Sequence, residues 1–564
     1  MRQFVTLNLP RMFLIWGLLL LGLYLYSILM TNFGAFTIDQ FYNQWLEVIL
    51  VGYLYSLIYL SMKPGKFRPL IAALPLFLLY LLHDVFFVIY GKVFRFINFS
   101  EVPELLQIIP LFSAVLVALL FVIPLALIIY RLNFNQLKSL LLPYSPLVLL
   151  VIVLLTNPAT FVQAFEHLAS NIVKYSDAKS VENNGRVSMM LYREAQRQEA
   201  LNTILPYRDR KTYKTQLAQQ VTRLQQHLNG RNVHLVVLES LLDPRLFQKL
   251  SFSKSPAHPA FDALFKDKLG LSKAPVFGGA TAQAEFEILC GVPAFEKLSS
   301  VEFNMFTGSN AYCLPGLLSE VMYRTVATNA YKPNFFNAIA GYQGTGFSEL
   351  HFPAEFYSAT ESYLHFGDPG KEEYLFDKNL FEQNLAFVKK HLAQHPKQPL
   401  LNYVMTIYGH TPHNLDPEIR PEVITTQSSY ADDHLQRATN QFYYRTEAIA
   451  QYVKDLMAID PNSLIILIAD HVPPLRNGPN TYNALNYLPD RQDGMYYNLF
   501  AVIEDKNVRR FEDIHHYDLP DIVFNYLTQG QYCQQQSCAH LGHTTAPREK
   551  RIDAYLKLMA HASE

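Results

Sequence analysis

The sequence predicts an N-terminal bundle of five transmembrane helices followed by a C-terminal α/β domain. Three observations carry this reading. Leu, Ile, Val, Phe and Tyr dominate the first 156 residues or so, while the remainder has the mixed composition of a globular protein. Lys and Arg are distributed unevenly among the loops of the apolar part. Beyond Asn232, short β-branched runs alternate with longer amphipathic stretches. A chain of 564 residues also exceeds one ordinary domain.

Five apolar runs, near 12–32, 42–62, 69–91, 106–130 and 139–157, are long enough to cross a bilayer, which takes roughly 20 residues of helix each. The first is too long for a signal-peptide core, and further runs follow it directly. Arg2 and Arg11 precede run 1, Lys63, Lys66 and Arg68 lie between runs 2 and 3, and Arg131 and Lys138 between runs 4 and 5. The loop between runs 1 and 2 has no Lys or Arg, and Lys92 and Arg95 in the next are offset by Glu101 and Glu104. The positive-inside rule places the N-terminus in the cytoplasm and everything after about residue 158 outside. Within run 3, His83-Asp84 is a polar pair at membrane depth. It either meets a lipid headgroup or polar cavity, or makes an interhelical hydrogen bond, the cheaper arrangement.

Residues 158–230 read as a polar helical connector, with amphipathic spacing over Val187–Leu201 and Gln216–Leu228. Such helices lie on a membrane surface or pack on a globular partner. The globular domain then occupies 231–564. The whole chain carries a net charge of -1, which argues against a partner held by a strong basic field, such as nucleic acid.

Val233–Leu238, Leu400–Ile407 and Leu464–Ala469 are buried-strand runs, and Leu380–Leu392 and Gln436–Met457 are candidate helices between them. This alternation predicts an α/β sandwich around a largely parallel sheet. Ligands of such sheets bind beyond the carboxyl ends of the strands. Glu239, His410, Asp470 and His471 fall there. A hydroxyl, Thr281, follows the small-residue turn Gly278-Gly279-Ala280 at the start of an amphipathic segment, where phosphate is favoured by the helix dipole. Two carboxylates, an imidazole and a hydroxyl make a site for Zn2+ or Mn2+, and such a cation would turn Thr281 into a nucleophile at neutral pH. Each residue also has an ordinary role open to it: Thr281 or Asp470 as a helix cap, Glu239 at a solvated strand end, the histidines in surface loops.

Taken in order, Val236-Val237-Leu238-Glu239-Ser240, Ala280-Thr281-Ala282-Gln283-Ala284-Glu285-Phe286, Thr406-Ile407-Tyr408-Gly409-His410-Thr411-Pro412 and Ala469-Asp470-His471 resemble the alkaline phosphatase/sulfatase superfamily. More narrowly they are similar to the membrane-anchored phosphoglycerol and phosphoethanolamine transferases, the group containing lipoteichoic acid synthase, which also carry a five-span anchor. The resemblance implies a sulfatase-like catalytic domain in the periplasm of a bacterial inner-membrane protein. It implies metal ligation by Glu239, Thr281, Asp470 and His471, a covalent phospho-headgroup on Thr281, and contact of His410 with the phosphate or leaving group. The donor would be phosphatidylglycerol or phosphatidylethanolamine and the acceptor an envelope glycan or lipid, with phosphoglycerol the favoured headgroup. A phosphoethanolamine transferase, a hydrolase using water and a non-catalytic lipid sensor are the other readings.

The chain departs from the superfamily in two places. Thr281-Ala282-Gln283-Ala284-Glu285 lacks the Pro and Arg of the sulfatase C/S-x-P-x-R motif, which disfavours sulfate-ester hydrolysis. Where lipoteichoic acid synthases bind glycerol phosphate with a His, a Trp and an Arg, this chain offers Thr328, Phe335 and Asn337, so polymer synthesis is not implied. Phe335 and Asn337 remain candidate substrate contacts, as does His413, which is as readily a loop residue. His434, His515, His516, His540 and His543 are expected at the surface. Four cysteines in an oxidising compartment suit two disulfides, Cys290 with Cys313 behind the Thr281 helix and Cys533 with Cys538 near the C-terminus; the alternative is four buried thiols.

Overall fold

A computed structural model of the chain describes residues 9–31, 43–90, 93–96, 99, 111–133, 141–170, 172, 177–208, 210–265, 267–298, 301–357, 361–543 and 548–564. The loop charges Arg2, Lys92, Glu101, Glu104 and Lys138, and residues 106–110 of the fourth apolar run, lie outside these. The chain divides into two compact units, Met1–Asn202 with Lys297–Ser300, and Thr203–Glu296 with Val301–Glu564. The polar helices of 158–230 fall on both sides of that division.

In the first unit, helices Leu9–Thr31, Trp45–Ser61, Arg68–Tyr90, Leu111–Arg131 and Leu141–Thr156 stand in the five apolar runs. Two of them, over Phe13–Thr31 and Arg68–Phe87, are long and apolar enough to cross a membrane; Leu141–Thr156 with Pro158–Leu168 makes a third if that pair, bent by 114°, is one span. Trp45–Ser61 and Leu119–Arg131 are apolar but shorter. By length and composition the described residues thus show two or three spans against the five expected. The bend has a local cause. The Asn157 side chain accepts from the Thr160 N–H, and Pro158 opens the next helix, so the preceding one must stop.

The polar pair of the third run is part of a larger arrangement. Arg186, at the head of the Arg186–Ile204 helix, donates from Nε and Nη2 to Asp84 at 2.6 and 2.8 Å. Glu47 of the second helix accepts from the N–H groups of Arg186, Val187 and Ser188, from the Ser188 hydroxyl and from Tyr80 Oη, all within 3.1 Å. Those three N–H groups have no partner within their own helix, so the Glu47 carboxylate serves as their cap. Gly185 makes the approach possible: its φ is +90°, and a Cβ there would meet Glu47 Cγ at 2.4 Å. The connector's first long helix therefore docks into the apolar unit, and Asp84 makes an ion pair with it instead of facing a lipid.

The second unit is built on a nine-stranded sheet. Its strands are β1 Val233–Leu238, β3 Gly270–Lys273, β4 Arg324–Asn329, β5 Glu349–His351, β6 Leu400–Met405, β8 Leu464–Ala469, β9 Tyr497–Glu504, β10 Asn507–Arg509 and β11 Ile514–His515; β2 Ser251–Phe252 and β7 Thr426–Gln427 pair separately. The order is β11-β3-β9-β8-β1-β6-β4-β5, with β10 on the edge of β9. β8, β1, β6, β4 and β5 run parallel, but β9 is antiparallel to β8, β3 and β10, so the sheet is mixed where a largely parallel one was expected. β1, β6 and β8 are buried at every residue, as central strands covered on both faces must be. Helices Pro259–Phe265, Asp377–Gln394 and Asp433–Ile459 close one core, in which Phe261, Leu380, Phe442, Ile449 and Val453 pack with Val236 and Leu238 of β1. The register sets the site: Leu238 is level with Ala469, and Val237 with Met405, so the residues after β1, β8 and β6 emerge side by side.

Candidate active site

Glu239 and Ser240 follow β1, and Asp470 and His471 follow β8. Thr281 arrives from a different direction. Gly278 and Gly279 have φ of +68° and +156°, Ala280 is left-handed at +58°, and the Gly278 N–H is held by the Val472 carbonyl at 3.1 Å. A Cβ on Gly278 would press on Pro474 at 3.0 Å. This turn delivers Thr281 as the first residue of the Thr281–Cys290 helix, after an N-cap, Ala280, that has no side-chain cap. Thr281 is thus not the cap. Its hydroxyl lies 3.1 Å from Glu239 Oε2 and 3.3 Å from His471 Nε2.

Each neighbouring ligand has one atom tied back and another that faces the site. Glu239 Oε1 accepts from Ser240 Oγ at 2.7 Å. Asp470 Oδ1 accepts the N–H groups of Ser240 and His471, both at 2.7 Å, while its Oδ2 is buried with no hydrogen-bond partner among the described residues. His471 Nδ1 lies 3.0 Å from the Val472 carbonyl, which only accepts, so Nδ1 carries the proton and Nε2 its lone pair. That Nε2 faces Asp470 Oδ2 at 3.2 Å. Glu239, Asp470 and His471 bring one acceptor atom each within 4.8 Å of one another. Three lone pairs converging in a buried place repel unless a cation lies among them, and the donor set of two carboxylates, an imidazole and a hydroxyl suits a divalent ion. Burial and the Glu239 charge hold the Asp470 carboxyl above the usual carboxylate range, the same repulsion seen as a proton affinity.

His410, beyond β6, donates from Nδ1 to the Thr411 carbonyl at 2.8 Å, with Tyr374 Oη at 3.0 Å from the same nitrogen. Burial keeps its pKa below the ordinary value, so it is neutral with Nε2 bare. A bare nitrogen takes a proton; it does not give one. Phe335, Tyr331, Tyr374 and His410 form a chain of ring contacts at 5.2, 6.2 and 5.2 Å, which places Phe335 at the far end of an aromatic row leading to His410. The Asn337 amide donates to the Phe303 and Phe306 carbonyls and so ties two loops together. Thr328 is buried against Tyr363 Oη at 2.6 Å. His413 is buried, its Nδ1 3.2 Å from Gln441 Oε1, and burial pulls its pKa to about 3. The structure therefore brings Glu239, Thr281, Asp470 and His471 together and sets Asn337 and Thr328 to structural tasks.

A family model for sulfatases matches residues 231–524, just over half of the chain. The chain belongs to the sulfatase family of enzymes. It is 23% identical over 285 residues to a putative cyclic β-1,2-glucan modification protein of Rhizobium meliloti (strain 1021), a match covering 46% of this chain and 38% of that relative, well under two thirds of its length. Among solved structures it is similar to Streptococcus pyogenes phosphoglycerol transferase GacH (18% identity, 64% of this chain and 92% of that one, TM-score 0.46). It is also similar to lipoteichoic acid synthase LtaP of Listeria monocytogenes (16%, 55% and 78%, TM-score 0.42) and to the periplasmic domain of Escherichia coli EptC (13%, 54% and 82%, TM-score 0.36).

Several residues of this sulfatase-family site have no local signal in the sequence. Ser240, at φ +48°, serves both carboxylates, and Tyr374 sets the His410 ring. His516, expected at the surface, is fully buried: its Nε2 donates to the Asp470 carbonyl at 3.0 Å and its Nδ1 lies 2.7 Å from Ser272 Oγ. His540 is buried as well. Pro520, in the first turn of the Leu519–Leu527 helix, is the sequence signal that His516 stands just before a helix. Both disulfides join the expected pairs, Cys290 with Cys313 and Cys533 with Cys538.

Proposed function

We propose that the protein is a membrane-anchored transferase that moves a phospho-headgroup, phosphoglycerol, from a membrane phospholipid to Thr281 and then to an envelope glycan or lipid. The observation that carries this is the Thr281 hydroxyl at a helix start, within 3.3 Å of two metal-facing atoms. In the first step Thr281 Oγ attacks the phosphorus, the bond from phosphorus to the diacylglycerol oxygen breaks, and the threonine proton ends on that oxygen. In the second an acceptor hydroxyl attacks phosphorus, the bond to Thr281 Oγ breaks, and threonine regains a proton. A divalent cation, Mn2+ or Zn2+, supplies positive charge that favours the threonine alkoxide and the phosphoryl oxygens when bound by Glu239, Asp470, His471 and Thr281. His410, neutral with Nε2 bare, suits removal of the acceptor proton. The absence of the C/S-x-P-x-R motif speaks against sulfate esters, and the Rhizobium meliloti relative is named for glucan modification, in keeping with a glycan acceptor.

The loop charges favour five spans over residues 1–157, a cytoplasmic N-terminus and a catalytic domain of 231–564 in the periplasm, with the membrane anchor keeping the site near its lipid donor. Full-length protein incubated with phosphatidylglycerol or phosphatidylethanolamine vesicles is expected to release diacylglycerol and to carry the headgroup on Thr281, both read by mass spectrometry. Thr281→Ala should lower release by at least about 10³-fold, the scale set by losing a covalent nucleophile. Undiminished release by that variant overturns the assignment, and release with a free phospho-headgroup in the presence of glycan acceptors makes the protein a hydrolase.

A further inference from the structure

The main chain of Glu239 is held by a buried assembly that touches none of the metal-facing atoms. Arg445, on the Asp433–Ile459 helix and 2% exposed, donates from Nη1 to the Glu239 carbonyl at 2.7 Å and from Nε to Asp377 Oδ2 at 2.6 Å. Its Nη2 reaches Thr406 Oγ1 at 3.3 Å, and the same Thr406 oxygen accepts the Glu239 N–H at 2.9 Å. Both peptide groups of Glu239 thus end on one guanidinium–threonine pair. We propose that Arg445, braced by Asp377, is the positioning residue that fixes Glu239 Oε2 for metal binding, acting through the Glu239 backbone.

The need for such a brace follows from the sheet. The β1–β8 ladder ends with Leu238 opposite Ala469, and Ser240 turns away with φ +48°, so Glu239 lies beyond strand pairing yet must hold one carboxylate oxygen on the site. Only a planar fork with several donors reaches an ion-pair partner, a carbonyl and a hydroxyl at once; a lysine ammonium at the end of a single stem does not. Space is reserved for it as well. A Cβ on Gly409 would come within 1.9 Å of the Glu239 carbonyl oxygen and 2.1 Å of Arg445 Nη1, so the loop that carries His410 can pass only as glycine. His410, Glu239 and Arg445 are packed through that one residue.

This inference rests on the metal-site reading, and the experiment separates the two. Mn2+ and Zn2+ are titrated into the full-length protein in detergent, and unfolding temperatures are recorded in chelator and in metal. Arg445→Lys and Thr406→Val are expected to weaken metal binding 10- to 100-fold, the range for groups that orient metal ligands, and to shrink the metal-induced rise in unfolding temperature. Asp470→Asn, which removes a ligand, is the reference for loss of the site. If Asp470→Asn loses metal while folded Arg445→Lys and Thr406→Val keep wild-type affinity, the positioning role is overturned. Should Arg445→Lys not fold, Thr406→Val alone decides by the same criterion. If the wild type binds neither ion, or Asp470→Asn binds as well as wild type, the metal-site reading itself fails.

Discussion

Glu47 and Asp84 in the apolar unit and Glu239 and Asp470 in the sulfatase unit are all at most 2% exposed, yet their oxygens are treated in opposite ways. Glu47 collects five donors on its two oxygens, and Asp84 receives both arms of Arg186. Among the described residues, Asp470 keeps Oδ2 without a hydrogen-bond partner, and Glu239 Oε2 accepts from the Thr281 hydroxyl alone. A buried carboxylate with every lone pair matched is an element of assembly, because its desolvation is already compensated where it stands. One with a bare oxygen among other acceptors stores unfavourable energy that only a cation or a proton relieves, which marks it as a site. Burial alone does not distinguish the two pairs; the inventory of donors does.

The largest test of this contrast is Asp470→Asn. Loss of the bare oxygen should abolish transfer, by about 10³-fold or more, and remove metal binding, while the chelated protein unfolds no more easily than wild type because a repulsion has gone. A variant that bound metal normally, or that unfolded well below the wild type in chelator, would erase the distinction. Asp84→Asn should do the reverse. It removes the charge of the carboxylate that takes two donors of the buried Arg186 guanidinium, at a cost of about 4 kcal/mol, and thermal unfolding in detergent should show it, while metal affinity in folded protein stays within about two-fold of wild type. An Asp84→Asn protein of wild-type stability would mean that the ion pair contributes nothing to holding the connector helix.

What the sequence conveyed and what it withheld divide along the same line. β1 and β8 were legible to the residue because central strands covered on both faces are near-continuous apolar runs, and the polar residues that end them, Glu239 and Asp470-His471, stand out against that background. Thr281 was legible as a hydroxyl after glycines, though its place beside Glu239, 42 residues away in sequence, was not. Arg445 and Asp377, 206 and 138 residues from Glu239, form no pattern of their own; an Arg inside an amphipathic helix reads as solvent-facing until the fold buries it. The direction of β9 was withheld for a similar reason, since a strand's own residues do not encode whether its neighbour runs with it or against it. The break after Thr156 was legible: Asn157-Pro158 is a local cap-and-proline signal, and it falls where the fifth apolar run ends.

A subtler test lies in Glu285, one helical turn beyond Thr281, which belongs to neither class. Its Oε1 accepts from Tyr342 Oη at 2.5 Å and Tyr403 Oη at 2.6 Å, and Asn329 donates to Tyr342 Oη in turn, so its donors are neutral where those of Asp84 are charged. Burial, opposed by those two tyrosine hydroxyls and reinforced by the Asp470 and Glu239 charges, raises its pKa to about 7. A carboxyl whose folded pKa lies above its unfolded one stabilises the fold fully only below the unfolded value, and that stability is lost as pH rises through the folded value. In chelated protein the contribution should therefore decline from about pH 4.5 to about pH 7, by up to about 3 kcal/mol in all. Glu285→Gln abolishes this titration and leaves the others in place, including His413 and His516, which act in the opposite sense at lower pH. The unfolding free energy of wild type minus variant should then be greatest near pH 5 and fall steadily to pH 8. A flat difference across that range would show that the carboxyl is ionised throughout, and that two tyrosine hydroxyls satisfy it as fully as an arginine satisfies Asp84.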